Sequence, residues 1–443
     1  MKDRPTRILI AECIPSLNKG ELAILTGMLE TFDALGKREV SIFSISPKLD
    51  KQRYPEQMRI VDLRTDLYID GSILEKSDFA MIVFGLLVML QHVFFSMLYT
   101  LIRDRAVRIM KKEIWKVYCR SDVIVMCHDQ MSYIFGSWFL CFSPLYITLL
   151  AKTLDKPVVI YANGSDDPER AVLKIGLWKI LAGYILSNVD LITVREAFTY
   201  NQLKDVLWNN VNVFLTADPA ILLRSVDHDR IRQIVAREKI PRTGELLIGV
   251  TLSHKILLSI CQGIKSRRER YKTAVEKMAR LLDHFIDNLD STVVFLPHCI
   301  EPYRERDDRD TASDIYDAMN NKDRIVLITR EYSPEELKGL VGIFNLLIGG
   351  RVHSVISALS MGVPSITLTQ STDRRAYGII GKMFDQENWI QDVEGLSLEG
   401  LIVRVSSLLS IRDVVSRNLV TQTKLVRKRA LLNGKLLKAL LDS

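Results

Sequence analysis

"LLIGGRVHSVISALSMGVPSITLT", residues 346–369, holds a complete strand–helix–strand pattern. Leu346–Ile348 is apolar throughout and runs into Gly349 and Gly350. The stretch "SVISALSMG" has helical spacing, and Pro364 opens a second apolar run. Short strands that are apolar on both faces, joined by a helix, belong to a parallel sheet covered on both sides.

The same alternation extends outward. Upstream, "LLIGVTLS" (246–253), "TVVFLPH" (292–298) and "RIVLIT" (324–329) read as strands, with helical spacing at 271–289 and 333–341. Ser333 followed by Pro334, Glu335 and Glu336 is a helix start: a cap, a proline in the first turn, then acids. A polar stretch, 224–245, separates this set from an earlier one. That set holds "RILIAEC" (7–13), "VSIFSIS" (40–46), "DVIVMC" (122–127), "PVVIYAN" (157–163), "LITVR" (191–195) and "VNVFLTAD" (211–218). An amphipathic run from Glu21 to Leu35 follows the first strand. The chain has 443 residues, too many for one core. The expected fold is α/β, with two Rossmann-like doubly wound domains facing across a cleft. Their bounds are 1–235 and 241–396, followed by a basic helical tail, 397–443, packing back on the first domain.

In such sheets ligands bind beyond the carboxyl ends of the strands, so strand-end residues are the candidates. Asn18 and Gly20 open a turn after the first strand. Arg195 ends "LITVR", with Glu196 as an alternative ion-pair partner. Asp218 ends the next strand, either orienting Arg195 or capping the turn. His298 ends "TVVFLPH", with Asp307 and Asp308 nearby. Gly350, Arg351 and His353 end "LLIGG", and Arg374 and Arg375 follow "PSITLT". Glycines admit close backbone approach, and a helix start offers unpaired N–H donors. Arg351 supplies a permanently charged fork, and His353 moves a proton near neutral pH. Together they describe a site for an acidic substrate with a proton-transfer group.

The net charge of +7 is modest but uneven. Residues 101–120 carry seven Lys/Arg against two acids, and 411–443 carry eight against two. Such faces suit phosphate-bearing partners or are solvated helix surfaces; no nucleic-acid motif accompanies them. Six cysteines lack any CxxC spacing, so no metal site is expected and a reduced, cytoplasmic setting is. Residues 79–102 contain no charge, long enough to span a bilayer. A spanning helix, an in-plane membrane helix and a buried core helix all fit that pattern. A single span would put Asn18 and Arg195 on opposite sides, so the first sheet could not assemble. An in-plane insert over 79–120, with its basic part at the headgroups, is the preferred reading; a buried or interface helix comes next.

Four stretches together resemble the polysaccharide pyruvyl transferase family: "NKGELAIL", "DLITVREAFTYNQL" with "TADPAILL", "FLPHCIEPYRERDD", and "GGRVHSVISALSMGVPSITL". The resemblance reaches from about residue 16 to 385, nearly the whole chain. The resemblance implies a glycosyltransferase-B-like fold. It also implies transfer of the enolpyruvyl group of phosphoenolpyruvate to a sugar of a polysaccharide or lipid-linked glycan, usually as a ketal. The first domain would take the acceptor and the second the donor, with no cofactor beyond phosphoenolpyruvate itself. Arg351 and His353 match the family's Arg-x-His, and Arg195 its arginine after the "DLIT" strand. Arg375 stands where the family has Lys, and Glu21 where it has Asp. "VIVMCHDQMSY" (123–133) lacks the usual glycine pair, and "YANGSDDP" (161–168) departs from the usual Gly-rich turn. The implied roles are His353, then His298, in proton transfer, with Arg351, Arg195 and Arg375 neutralising the donor. The implied setting is the cytoplasmic face of the membrane in exopolysaccharide and cell-envelope synthesis, with oligomeric state open. Two rivals remain. One is a glycosyltransferase using a nucleotide sugar, against which Ser357 counts because such enzymes often carry Glu there. The other is a non-catalytic membrane-surface scaffold.

Overall fold

A computed structural model describes residues 4–63, 90, 94–95, 97–103, 105, 113–127, 134, 142–165, 176–206, 212–241, 245–302 and 304–443. Most of the apolar segment, including 79–89, lies outside these residues, as do 128–133 and 166–168 of the two departing stretches. Among the described residues no helix is long and apolar enough to cross a membrane.

The chain divides into two compact units. The first comprises Met1–Ser16, Leu29–Thr216 and Leu431–Ser443. Its sheet has seven strands: β1 (Thr6–Cys13), β2 (Arg38–Ser44), β3 (Met58–Asp62), β4 (Val123–Met126), β5 (Val158–Asn163), β6 (Leu191–Val194) and β7 (Val213–Leu215). Their order is β3-β2-β1-β4-β5-β6-β7, and every pairing is parallel. The register sets Ile8 beside Val40 on one side and Val123 on the other, so β1 is central. β4, β5 and β6 are buried at every position, which is why their sequences do not alternate. Trp115 and Tyr118, on the helix Glu113–Arg120, are fully buried in the core beneath this sheet.

The second unit comprises Leu17–Met28 and Ala217–Ala430. Its strands are β8 (Leu246–Thr251), β9 (Ser291–Phe295), β10 (Ile325–Leu327), β11 (Leu346–Gly349), β12 (Ser365–Thr369) and β13 (Ile390–Asp392). They pair in parallel in the order β10-β9-β8-β11-β12-β13. This is the doubly wound order, whose direction of winding reverses between β8 and β11. The helix Val352–Ser360 buries Val355, Ile356, Ala358 and Leu359 against the sheet. The helix Pro334–Val341 starts with the anticipated Ser333 cap, closed reciprocally by Glu336.

Three boundaries differ from the sequence reading. Residues 17–28 belong to the second unit, because the chain there bonds to the end of β9: Lys19 N–H donates to the His298 carbonyl at 2.8 Å and Ile300 N–H to that of Leu17 at 3.2 Å. Residues 217–240 also belong to the second unit. The stretch read as a polar linker holds the helix His228–Arg237, whose Ile231, Ile234 and Val235 are buried and whose Arg230 pairs with Glu336 at 2.7 Å. The tail is shared: residues up to Ala430 pack in the second unit, and Leu431–Ser443 in the first.

Candidate functional site

The reversal between β8 and β11 places two carboxyl ends side by side in the second unit. Gly350 N–H donates to the Thr251 carbonyl at 2.6 Å, holding the turn after β11 against the end of β8. A Cβ at Gly350 would lie 3.2 Å from that carbonyl, a tight contact that favours glycine. Arg351 has extended backbone and leads the helix Val352–Ser360, which no side chain caps. The N–H groups of Val352 and His353, at the first two helical positions, therefore offer a potential anion site.

The Arg351 guanidinium is fixed by Asp308. Nη2 and Nε donate to Oδ1 at 2.6 and 3.2 Å, while Oδ2 accepts the backbone N–H groups of His298 and Cys299 at 3.0 and 2.9 Å. Nη1 has no hydrogen-bond partner among the described residues, and the Arg351 side chain is 28% exposed. One carboxylate therefore ties the end of β11 to the end of β9 and leaves one face of the arginine open. Asp308 begins the helix Asp308–Ala318, where the helix dipole favours a negative charge. Burial pulls against the charge on Arg351, but the Asp308 carboxylate beside it outweighs burial and raises the arginine's pKa.

His298 follows β9 and is 4% exposed. Neither ring nitrogen has a hydrogen-bond partner among the described residues. Burial, then the nearby charges of His353, Arg351 and Lys19, lower its pKa to about 3. At neutral pH the ring is a neutral donor and acceptor enclosed among cations.

His353 is the second residue of the helix Val352–Ser360. Its Nε2 lies 3.6 Å from Asp218 Oδ2, and both side chains are largely buried. Its ring rests on the backbone of Gly20; a Cβ there would fall inside van der Waals contact of Nδ1 and Cγ. Asn18 shapes that approach, because its Oδ1 accepts the Gly20 N–H at 3.1 Å and turns the chain into the helix Lys19–Thr31. Asp218 also caps its own turn, accepting the Ala220 N–H at 2.9 Å.

Two further residues belong to this group. Lys19 is 2% exposed, and its Nζ lies 2.6 Å from Glu331 Oε1. Local spacing singles out neither, although Lys19 lies between the turn residues Asn18 and Gly20. Asp308 lies near His298 in sequence, and no local pattern ties it to Arg351.

The structure thus brings Asn18, Gly20, Asp218, His298, Gly350, Arg351 and His353 together at one sheet edge of the second unit. Arg375 follows β12 on the same edge, where its backbone N–H and its Nε approach Asp373 Oδ1 at 3.1 and 3.5 Å. Arg195 lies in the first unit, just past β6, 4% exposed. Its backbone N–H donates to the Asn163 carbonyl at 3.0 Å, and its side chain crosses Gly164, where a Cβ would be 2.9 Å from Nε. Glu196 is spent on the next helix: its carboxylate accepts the Thr199 N–H, and burial raises its pKa. Among the described residues no cluster of His, Cys, Asp and Glu is arranged to hold a metal ion.

A fixed cation beside an uncapped helix start can bind an anion, and an imidazole beside a carboxylate can move a proton. The family model described as polysaccharide pyruvyl transferase matches residues 18–372. The amylovoran biosynthesis protein AmsJ of Erwinia amylovora is 23% identical over 323 residues, covering 71% of this chain and 73% of AmsJ. Among solved structures, UDP-GlcNAc 2-epimerase from Methanocaldococcus jannaschii superposes with a TM-score of 0.53 at 12% identity, covering 91% of this chain and 92% of its own. Anabaena Alr3699/HepE in complex with UDP and glucose gives 0.52 at 9% identity, covering 99% of each chain. At such identities the likeness is one of fold, two Rossmann-like units of the glycosyltransferase-B type.

Proposed function

Because the chain belongs to the polysaccharide pyruvyl transferase family, we propose that it moves the enolpyruvyl group of phosphoenolpyruvate onto a sugar of a polysaccharide or lipid-linked glycan precursor and closes a pyruvate ketal there. The observation that carries this reading is the Arg351–Asp308 pair beside an uncapped helix start, with His353 and Asp218 adjacent.

Phosphoenolpyruvate presents a carboxylate and a phosphate. The open face of Arg351 and the N–H groups of the following turn bind one of these anionic groups, preorganised because Asp308 already fixes the guanidinium. Arg375, on the neighbouring strand end, is assigned to the same donor. His298, neutral and with no ring partner among the described residues, donates a hydrogen bond to a donor oxygen. Arg195 is assigned to binding an anionic group of a substrate. His353 gives its proton to the methylene carbon, generating an oxocarbenium-like centre, and Asp218 stabilises the imidazolium before transfer. A sugar hydroxyl adds at that centre and returns a proton. The carbon–oxygen bond to phosphate breaks, and a second hydroxyl closes the ketal, so one diol and one phosphoenolpyruvate yield ketal and inorganic phosphate. AmsJ is an amylovoran biosynthesis protein, and the setting proposed here is likewise the synthesis of an extracellular polysaccharide, at the cytoplasmic face of the membrane.

The test is acceptor-dependent phosphate release from phosphoenolpyruvate. His353→Ala is expected to lower the rate by about 10²–10⁴-fold, the usual worth of a positioned acid–base group. Full activity in that variant removes His353 from the mechanism. Thermal stabilisation by a nucleotide sugar and none by phosphoenolpyruvate overturns the donor.

A further inference from the structure

A two-faced helix in the first unit has one apolar side that no described residue covers. Positions 90, 94, 95 and 97–102 are helical. Phe95, Leu98, Tyr99 and Ile102 pack on the core of the first unit, and Phe95 and Tyr99 approach buried Trp115 with ring centroids 5.9 and 6.2 Å away. Leu90, Phe94, Met97 and Leu101 are instead 66%, 61%, 62% and 79% exposed. On an ideal helix of 3.6 residues per turn, positions 90, 94, 97 and 101 fall within an arc of roughly 60°, and the packed four positions centre about 120° away. A soluble surface helix turns its charged face outward; this one is apolar on both.

The charge nearby indicates what covers it. The helix ends at Arg103, whose backbone is left-handed and whose side chain is 60% exposed, pairing with Asp155 at 2.9 Å and lying 5.6 Å over the Tyr99 ring. Arg105 is exposed beyond it, and residues 101–120 carry seven Lys/Arg against two acids. Leu149 on the helix Phe142–Thr153, just before Asp155, adds a further exposed apolar side chain. Leu, Phe and Met beside exposed arginines match the boundary between acyl chains and anionic headgroups.

We propose that Leu90, Phe94, Met97 and Leu101 form a membrane-docking face that lies in the plane of an anionic bilayer, with Arg103 and Arg105 at the phosphates. The proposal extends the membrane-side setting given above. Vesicle binding needs neither phosphoenolpyruvate nor sugar, so the docking and the chemistry fail separately.

The experiment is flotation of the full chain with phosphatidylcholine vesicles, with and without about 30% phosphatidylglycerol. The wild type is expected to float with the anionic vesicles, and Phe94→Ser/Met97→Ser/Leu101→Ser to lose about tenfold or more of that binding. Arg103→Gln/Arg105→Gln is expected to abolish the preference for anionic over neutral vesicles. Leu101→Ser alone, at the most exposed of the four, serves if the triple variant fails to fold. Three results overturn the proposal: no flotation of the wild type, equal flotation of the apolar variants, or a lipid-free wild-type dimer that these variants split into monomers. The last would make the face a contact between two copies of the chain.

Discussion

His298 is enclosed with both ring nitrogens lacking a partner among the described residues. Leaving a buried polar atom unpaired costs about 1–3 kcal/mol, so the ring is a local cost to the fold. Its folded pKa of about 3 lies below the ordinary value of 6.5. Between those values the unfolded chain binds the proton and the folded chain does not. Stability therefore falls as pH drops below 6.5, by up to about 1.4 kcal/mol per unit, and this group contributes no slope above 6.5. Urea unfolding at pH 4.5 and 7.5 reads the effect directly. His298→Gln is expected to lose about 2–3 kcal/mol less than the wild type between the two conditions. An unchanged difference would mean that the ring titrates normally. The same depressed pKa makes His298 a neutral hydrogen-bond donor in the proposed reaction and leaves proton delivery to His353.

At the scale of elements, the site is a meeting of two helix starts, Lys19–Thr31 and Val352–Ser360, through Gly20 and His353. Gly20→Ala puts a methyl group where the imidazole lies. The ring must leave Asp218, with overpacking strain of about 1–3 kcal/mol. The expected result is a lower melting temperature and a drop in kcat larger than any change in KM, measured by thermal unfolding and phosphate release. A variant with wild-type kcat would show that the ring works from another position. The central elements were readable because strands buried on both faces leave uninterrupted apolar runs, as in "LLIGG" and "VVIY". β3 (Met58–Asp62) and β13 (Ile390–Asp392) escaped because they are edge strands, half-buried, with polar residues among few apolar ones. Arg351 and His353 were readable from their local junction of glycines, strand end and helix start. Lys19 with Glu331, and Asp308 as the anchor of Arg351, were not: these pairs are 312 and 43 positions apart. Local spacing reports which face a residue occupies and carries no record of such distant partners.

At the scale of the chain, composition and length indicate two cores, but a division between 235 and 241 follows polarity instead of packing. The amphipathic spacing of Ile231, Ile234 and Val235 marks a packed helix, His228–Arg237, in place of a linker, and its partners lie in the second unit. Length could not show that the first unit is assembled from three separate pieces of chain, the last being Leu431–Ser443. That piece is built in. Asn433 is fully buried and its Oδ1 accepts the Thr216 hydroxyl at 2.8 Å, while Leu437 is also fully buried. Gly434 packs directly on the Thr31 carbonyl, and the Thr31 hydroxyl in turn meets that of Tyr161 on β5. A side chain at Gly434 must push the C-terminal helix off this seat, because the opposing atom is backbone and cannot rotate away. Gly434→Val is therefore expected to destabilise the first unit by about 1–3 kcal/mol or more. Hydrogen exchange read by peptide resolves the effect by unit: amides of β1 and β5 are expected to exchange faster, with those of β8 and β11 unchanged. Unaltered protection of β1 and β5 would mean that the last thirteen residues rest on the first unit without holding it together.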